Sequence, residues 1–203
     1  SDGKLMTGIK KDEYTAKVLN EFAAAGAPKE ILYLAKPHIG TDKLVTMTRN
    51  LREKIITLGG EYRFNTQLTD IIPHPETNLL TLTLHSPHTA STLITDTLIL
   101  ALGHSARDTF KMLYDRGVQM TQKPFAVGVR IEHKQSAINL AQYGKKYHNS
   151  PYLGAADYKL ATHLPDNRSL YTFCMCPGGT VVAATSLKEH VVTNGMSEFA
   201  RNK

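Results

Sequence analysis

Cysteine, long apolar runs and clustered charge are all scarce in this chain of 203 residues, and each shortage narrows what it can be. Cys174 and Cys176 are too few for a disulfide framework. With no second cysteine pair or His-x-x-x-His following them, they make no structural zinc site, which takes four ligands; reduced thiols are expected. No apolar stretch approaches the roughly 20 residues that span a bilayer, and nothing at the start resembles a signal peptide, so a cytoplasmic chain without membrane contact is expected. Gly-x-Gly-x-x-Gly occurs nowhere among the 14 glycines, so the turn that seats a dinucleotide pyrophosphate on a helix start is missing.

Basic residues outnumber acidic ones, 24 to 18, but they are scattered. Lys10-Lys11 and Lys145-Lys146 are pairs, and no basic stripe is interleaved with aromatics, so the excess reads as solvated surface and not as a nucleic-acid face. A content of 41% hydrophobic and 21% charged residues is that of an ordinary globular protein. A chain of this length buries on the order of 70% of its unfolded surface, enough for one domain or two small ones.

The most informative stretch is 96–108. Its unbroken apolar run, residues 98–102, is too short for a helix and ends at Gly103, which predicts a strand buried on both faces. Ser105 as N-cap, Asp108 in the first turn, the apolar Phe110, Leu113 and Tyr114, and Gly117 as terminator predict a helix directly after it. A strand feeding a helix through Gly103-His104-Ser105 is where open α/β sheets place ligands, although such turns are common without one.

Upstream, the spacing of Tyr14, Val18, Leu19 and Phe22 predicts an amphipathic helix over 12–26, and a short helix over 29–35 follows Pro28. The loop around His38 leads to Thr41 or Asp42 as N-cap of a long helix with Leu44, Met47, Leu51, Ile55 and Leu58 inward and Gly59-Gly60 at its end. His38 is either a ligand contact or acid/base, or a loop histidine bonded to backbone. Tyr62 and Phe64 predict a strand ending near 65–68. Leu80, Leu82 and Leu84 alternate with Thr81, Thr83 and His85 in a half-buried strand reached through a turn at 73–75, and a third strand covers 91–94.

Beyond Gly117 the pattern is again of period two. Phe125, Val127, Val129 and Ile131 alternate with Ala126, Gly128, Arg130 and Glu132. Arg130 either pairs with Glu132 or offers its guanidinium to an anionic substrate. Residues 142–151 read as a surface loop, 157–163 as a strand, Asp166-Asn167 as the turn into a strand over 169–176, and Pro177-Gly178-Gly179 as the turn of a hairpin with 180–184. Glycines there let a backbone approach a flat ring closely. The two thiols have no cation nearby in sequence to activate them.

Several stretches carry a resemblance in chain order. They are 1–5 (Ser-Asp-Gly-Lys-Leu), 37–42 (Pro-His-Ile-Gly-Thr-Asp), 101–108, 128–133, 154–158, 174–179 and 192–197 (Val-Thr-Asn-Gly-Met-Ser). Together they are similar to the bacterial FAD-dependent (NAD/FAD-utilising) dehydrogenases, flavoproteins with a two-dinucleotide-fold FAD domain; Leu102 stands where such proteins usually have Thr. The resemblance implies the middle portion of a longer flavoprotein. The fold class is then α/β to α+β: a partial, layered FAD/NAD(P)-binding-type domain with a β-meander over 1–117, followed by a β-rich substrate-type domain over 118–203.

The resemblance also implies FAD as cofactor in the complete protein, leaves NAD(P) open as a second one, and implies hydride transfer between a small organic substrate and flavin. Gly3, Lys4, Leu68, Gly103, His104, Pro177, Gly178 and Gly179 become the candidate cofactor contacts. His38 and His104 are candidate catalytic residues by residue type and position, since histidine exchanges protons near neutral pH, and Arg130 is the candidate substrate contact. No metal site is expected, and the oligomeric state is left open. The alternative is a non-catalytic module that binds substrate or a partner and holds no FAD by itself.

Overall fold

The computed structural model describes residues 5, 13–34, 37–172, 175–185 and 187–199. The candidates Gly3 and Lys4, together with Cys174, lie outside the described residues. The chain forms two compact units, residues 1–60 with 129–203, and residues 61–128. Both mix helix with small antiparallel sheets, an α+β composition.

In the first unit, α1 (Glu13–Ala24) ends at Gly26, whose φ of 107° reverses the chain. A short 3₁₀ helix (Lys29–Leu32) follows Pro28, and α2 (Thr41–Thr57) follows Gly40. Ala25, Ala27, Ile31, Ile39 and Met47 form the core between these pieces, with Leu19, Phe22, Leu44 and Leu51 packed against it. The inward faces are shorter than their periodicity implies. Tyr14 and Val18 on α1, and Ile55 and Leu58 toward the end of α2, are exposed, because the core lies at the α1–α2 junction and those residues extend past it. The exposed α1–α2 contact is tied by the ion pair of Lys54 with Glu21.

The C-terminal stretch of this unit differs most from expectation. Residues 142–151 are no loop: α4 (Gln135–Tyr147) covers most of them, with a kink at Gly144 (φ 71°). The helix is held from outside. Gln135 Nε2 donates to Ala156 O at 2.9 Å, and Ala156 N–H donates to Asn139 Oδ1 at 2.9 Å, so two side chains one turn apart clamp one buried residue. β4 (Ala161–His163) pairs with β5 (Ser169–Tyr171) around Asn167, and β6 (Thr180–Ala184) pairs with β7 (Val192–Met196). The Pro177-Gly178-Gly179 turn is present, with Gly178 at φ 66° and Gly179 N–H bonded to Cys176 O. Among the described residues β6 takes its partner from further along the chain, β7, and not from a strand across that turn.

The second unit is the meander β1 (Gln67–His74), β2 (Leu79–His85), β3 (Ala90–Thr95) with α3 (Arg107–Asp115) beside it. Pro73 sits inside β1, which is an edge strand, the sheet position where a residue without N–H is tolerated. A bulge between Leu68 and Asp70 inserts Thr69, so Leu68 and Ile71, three apart, face the same side opposite Leu84 and Leu82. Ile71, Leu82 and Leu113 are the buried centre, with Leu68, Leu80, Leu84, Leu98 and Met112 around it. α3 is fastened at both ends: Gln67 Nε2 donates to Asp108 Oδ2 at 2.6 Å, and Arg116 forms a two-pronged pair with Asp70. The guanidinium holds the Asp70 carboxyl below its ordinary pKa. The start of α3 is Ala106, without a side-chain cap, so Ser105 does not serve as one.

Three predicted strands are absent. Residues 62–64 are irregular, and Tyr62 and Phe64 stack on each other with centroids 6.0 Å apart. Residues 98–102 and 125–132 carry no strand structure. A strand is defined by its hydrogen-bonded neighbour, and the described residues offer these segments none.

Removing the buried Leu82 side chain tests the meander core. Leu82→Ala is expected to lower the stability of the second unit by about 3 kcal/mol, the usual size for a large-to-small core change. Urea unfolding followed by far-ultraviolet circular dichroism measures it, and a loss under about 0.5 kcal/mol would show that this cluster is not the core.

Candidate functional site

The first unit brings sequence stretches far apart in the chain to one place. α2 starts at Thr41, and its first-turn N–H groups need acceptors. Gly40, at φ 90°, supplies no side chain to help. The acceptors come from the other end of the chain: Thr41 N–H and Oγ1 both donate to Ser197 O, at 3.0 and 3.2 Å. In return Asp42 Oδ1 accepts Phe199 N–H at 2.8 Å. Gly40 is glycine for a steric reason as well, since a Cβ there would lie 2.6 Å from Phe199 Cα.

His38 is buried beside this junction. Its Nε2 lies 3.1 Å from Ser197 Oγ, which is also buried. Of the two sequence readings, loop histidine or ligand contact, the structure adds a third arrangement, a histidine bonded to a serine side chain 159 residues away. Ser197 was not singled out as a site residue. Its signal was its place in the 192–197 stretch.

The Asp42 carboxyl is held below the ordinary carboxylate range, first by Phe199 N–H, then by the N–H groups at the helix start and by Lys43. A helix start often receives phosphate. Here Ser197 occupies the first donor, and a carboxylate stands where a second anion would come, so the α2 start is closed to phosphate by its own chain.

A second grouping surrounds the end of β7. A Cβ on Gly195 would lie 3.0 Å from Arg130 Nη1 and 3.5 Å from Cys176 Sγ, so the guanidinium and the thiol both sit over this bare backbone. A Cβ on Gly179 would lie 2.8 Å from Cys176 Cβ and 3.2 Å from Met196 O. The smallness of Gly179 therefore serves the chain's own packing. Pro177 is buried in the same turn. Arg130 is exposed, and among the described residues it forms no ion pair with Glu132 or any other carboxylate. Tyr158 joins this region through its N–H to Met175 Sδ at 3.2 Å and its hydroxyl to His133 Nε2 at 2.8 Å.

The second unit carries the remaining candidates. Leu100, Ala101, Leu102, Gly103, His104 and Phe110, floored by Leu113, line an open, mainly apolar hollow of about 350 Å³. Gly103 has φ 70°, and open space where a side chain would be. His104 is the one titratable side chain on the rim. Leu68 is not part of this lining; it packs into the meander core. His38 and His104 thus belong to different compact units. An apolar floor, a bare glycine and a single histidine fit a flat heteroaromatic ring, whereas the hollow has no basic side chain in its lining for a phosphate. Among the described residues no group of three or more His, Cys, Asp or Glu is placed to hold a metal ion, and no helix is long and apolar enough to cross a membrane.

By fold this is an α+β chain with an open, mainly apolar hollow in one unit and a histidine-containing junction in the other. Residues 124–203 match the family described as FAD-dependent protein, C-terminal domain-like, which supports an FAD-dependent protein family for this chain. An uncharacterized protein of Clostridium beijerinckii is 48% identical over 203 residues, all of this chain. The chain spans 37% of that relative's length.

The junction makes two predictions. Gly40→Ala introduces strain of about 1–2 kcal/mol at a left-handed position and a clash with Phe199, so the Phe199 amide should lose its hydrogen-exchange protection while α2 persists; retained protection would refute the contact. Asp42 binds protons less readily in the folded chain than in the unfolded one, so the stability it contributes is present above the ordinary carboxylate range and is lost as pH falls through its depressed folded pKa. The Phe199 amide resonance should titrate in acid with a midpoint below that of a free aspartate, and should not titrate in Asp42→Asn.

Proposed function

We propose that this chain is a portion of an FAD-dependent oxidoreductase that transfers a hydride between an organic substrate and flavin, with the use of NAD(P) left open. The single observation that carries the reading is the match of residues 124–203 to an FAD-dependent protein family. The hollow beside Gly103 and His104 supports it, because its lining is mainly apolar with a single imidazole. When bound, FAD would supply the two-electron chemistry. The chain's own residues would do the rest. In this reading Gly103 lets the backbone approach the ring, Leu100, Leu102 and Phe110 exclude water from it, and His104 exchanges a proton at its imidazole with the substrate. Arg130, exposed and without a carboxylate partner, holds an anionic group of the substrate. Pro177, Gly178 and Gly179 shape the turn that sets Cys176 beside Gly195. In this reading His38, buried against Ser197, serves to position the junction.

The division at residue 117 into a flavin-type and a substrate-type portion belongs to the same proposal. The glycine fingerprint is missing from this sequence, so tight FAD binding is assigned to the longer protein. The test is to incubate this chain and the full-length Clostridium beijerinckii relative with FAD, desalt both, and read the visible flavin absorbance. Retention by the relative alone is the expected result. Retention by neither would overturn the flavoprotein reading and favour a substrate- or partner-binding module; retention by the short chain would place the whole cofactor site within these residues.

A further inference from the structure

The stretches 128–133, 154–158 and 174–179 are joined in the first unit by a side-chain pair whose chemistry the proposed function does not use. Tyr158 and His133 meet through the phenol oxygen and Nε2 at 2.8 Å, with their rings tilted at 58° to one another. Tyr158 also donates its N–H to Met175 Sδ at 3.2 Å.

The pair is held from behind. Two residues after His133, Gln135 Nε2 donates to Ala156 O, and two residues before Tyr158, Ala156 N–H donates to Asn139 Oδ1, both at 2.9 Å. The clamp on α4 therefore fixes the backbone beside each member of the pair, and the Met175 sulfur adds a third fixed point. Side chains set on a fixed backbone keep their direction, which recognition of a ligand requires.

The imidazole decides what the phenol can offer. With its proton on Nε2, His133 donates to the phenol oxygen and leaves the phenol O–H free for a ligand; with the proton on Nδ1, that O–H is spent on the imidazole. A ligand atom that only accepts, such as a ketone oxygen, draws the pair into the first state. Arg130 stands three residues before His133, so their Cα atoms lie within about 11 Å of one another. Its guanidinium lies over Gly195, and among the described residues it has no carboxylate partner. In the segments 130–134 and 157–159, Arg130, Lys134 and Lys159 outnumber Glu132 and Asp157, so the surroundings favour an anion.

We propose that Arg130 and Tyr158 hold the two polar groups of one small oxo acid, the guanidinium its carboxylate and the phenol its ketone oxygen. His133 is the positioning residue that frees the phenol O–H for this contact. The assignment rests on the reading that Arg130 holds the anionic group of the substrate, and adds to it the chemical class and a second contact.

Titration of this chain, without FAD, with pyruvate, acetoacetate and levulinate tests it beside propionate, butyrate and pentanoate, which match them carbon for carbon and lack the ketone. The three oxo acids set the ketone at increasing distance from the carboxylate. Nitrogen NMR of the His133 ring reads both affinity and tautomer. At least one oxo acid should bind roughly fivefold more tightly than its match, the size of one neutral hydrogen bond, and should shift His133 toward the Nε2–H form. Tyr158→Phe should abolish that preference while the Ala156 amide keeps its protection from exchange. Absence of any preference in the unaltered chain overturns the inference without a variant, and so does a preference that survives Tyr158→Phe. In Arg130→Gln both kinds of acid should lose affinity. Binding that survives this change removes Arg130 as the anion contact and defeats the reading beneath; loss there without an oxo preference defeats the inference alone. Because no flavin is present, the FAD-retention test is a separate result.

Discussion

The grip of residues 197–199 on the start of α2 is the constraint on which the first unit depends. That unit is built from two stretches separated by the whole of the second unit. Among the described residues, the hydrogen bonds that join the two stretches all lie here: Ser197 to Thr41, Ser197 to His38, and Phe199 to Asp42. The C-terminal stretch has little core of its own: among the described residues its buried non-polar side chains are Ala156 and Pro177. Its anchorage is polar and concentrated. Each bond depends on the others, because Thr41 and His38 share one serine, and the serine's placement follows from Phe199 beside the bare Gly40.

This makes the chemistry of the two candidate regions unlike. At the α2 start, every donor has found an acceptor within the chain, and the outcome is rigidity. At the Gly103 hollow, the chain leaves apolar surface and one imidazole exposed. Arg130 lies between these cases. Its guanidinium lies over Gly195, and among the described residues its donors are not taken by a carboxylate, unlike those of Arg63, Arg116 and Arg168, each of which has one.

What was legible in the sequence is what is local. The alternation of Leu80, Leu82 and Leu84 gave β2 its face, Gly26 and Gly117 ended their helices, and Asn167 and Gly178 made their turns, because each depends on a few residues' φ, ψ and polarity. Segments 98–102 and 125–132 read as strands on the same grounds, but a strand also needs a neighbour, which lies beyond local pattern. α4 escaped for the opposite reason: its residues bury little, and what steadies it is the clamp of Gln135 and Asn139 on Ala156, a contact no periodicity reports. β6 pairs past the nearest turn for want of any local signal naming β7. At the site, His38 and Gly103-His104 were found by residue type, whereas Ser197 and the approach of Arg130 and Cys176 to Gly195 come from contacts between distant residues.

The bulge and Pro73 in β1 have a bearing on how the meander treats strangers. A bulged, proline-bearing edge is a poor template, because it twists and lacks a donor at one position. The far edge has no such guard. β3 is uncharged from Ala90 to Thr95 and shows Leu93 and Ile94 to solvent. The sheet therefore has a polarity in its tolerance of company: a foreign strand is turned away at β1 and finds a regular ladder at β3, so growth of this sheet, whether in assembly or in aggregation, would proceed in one direction.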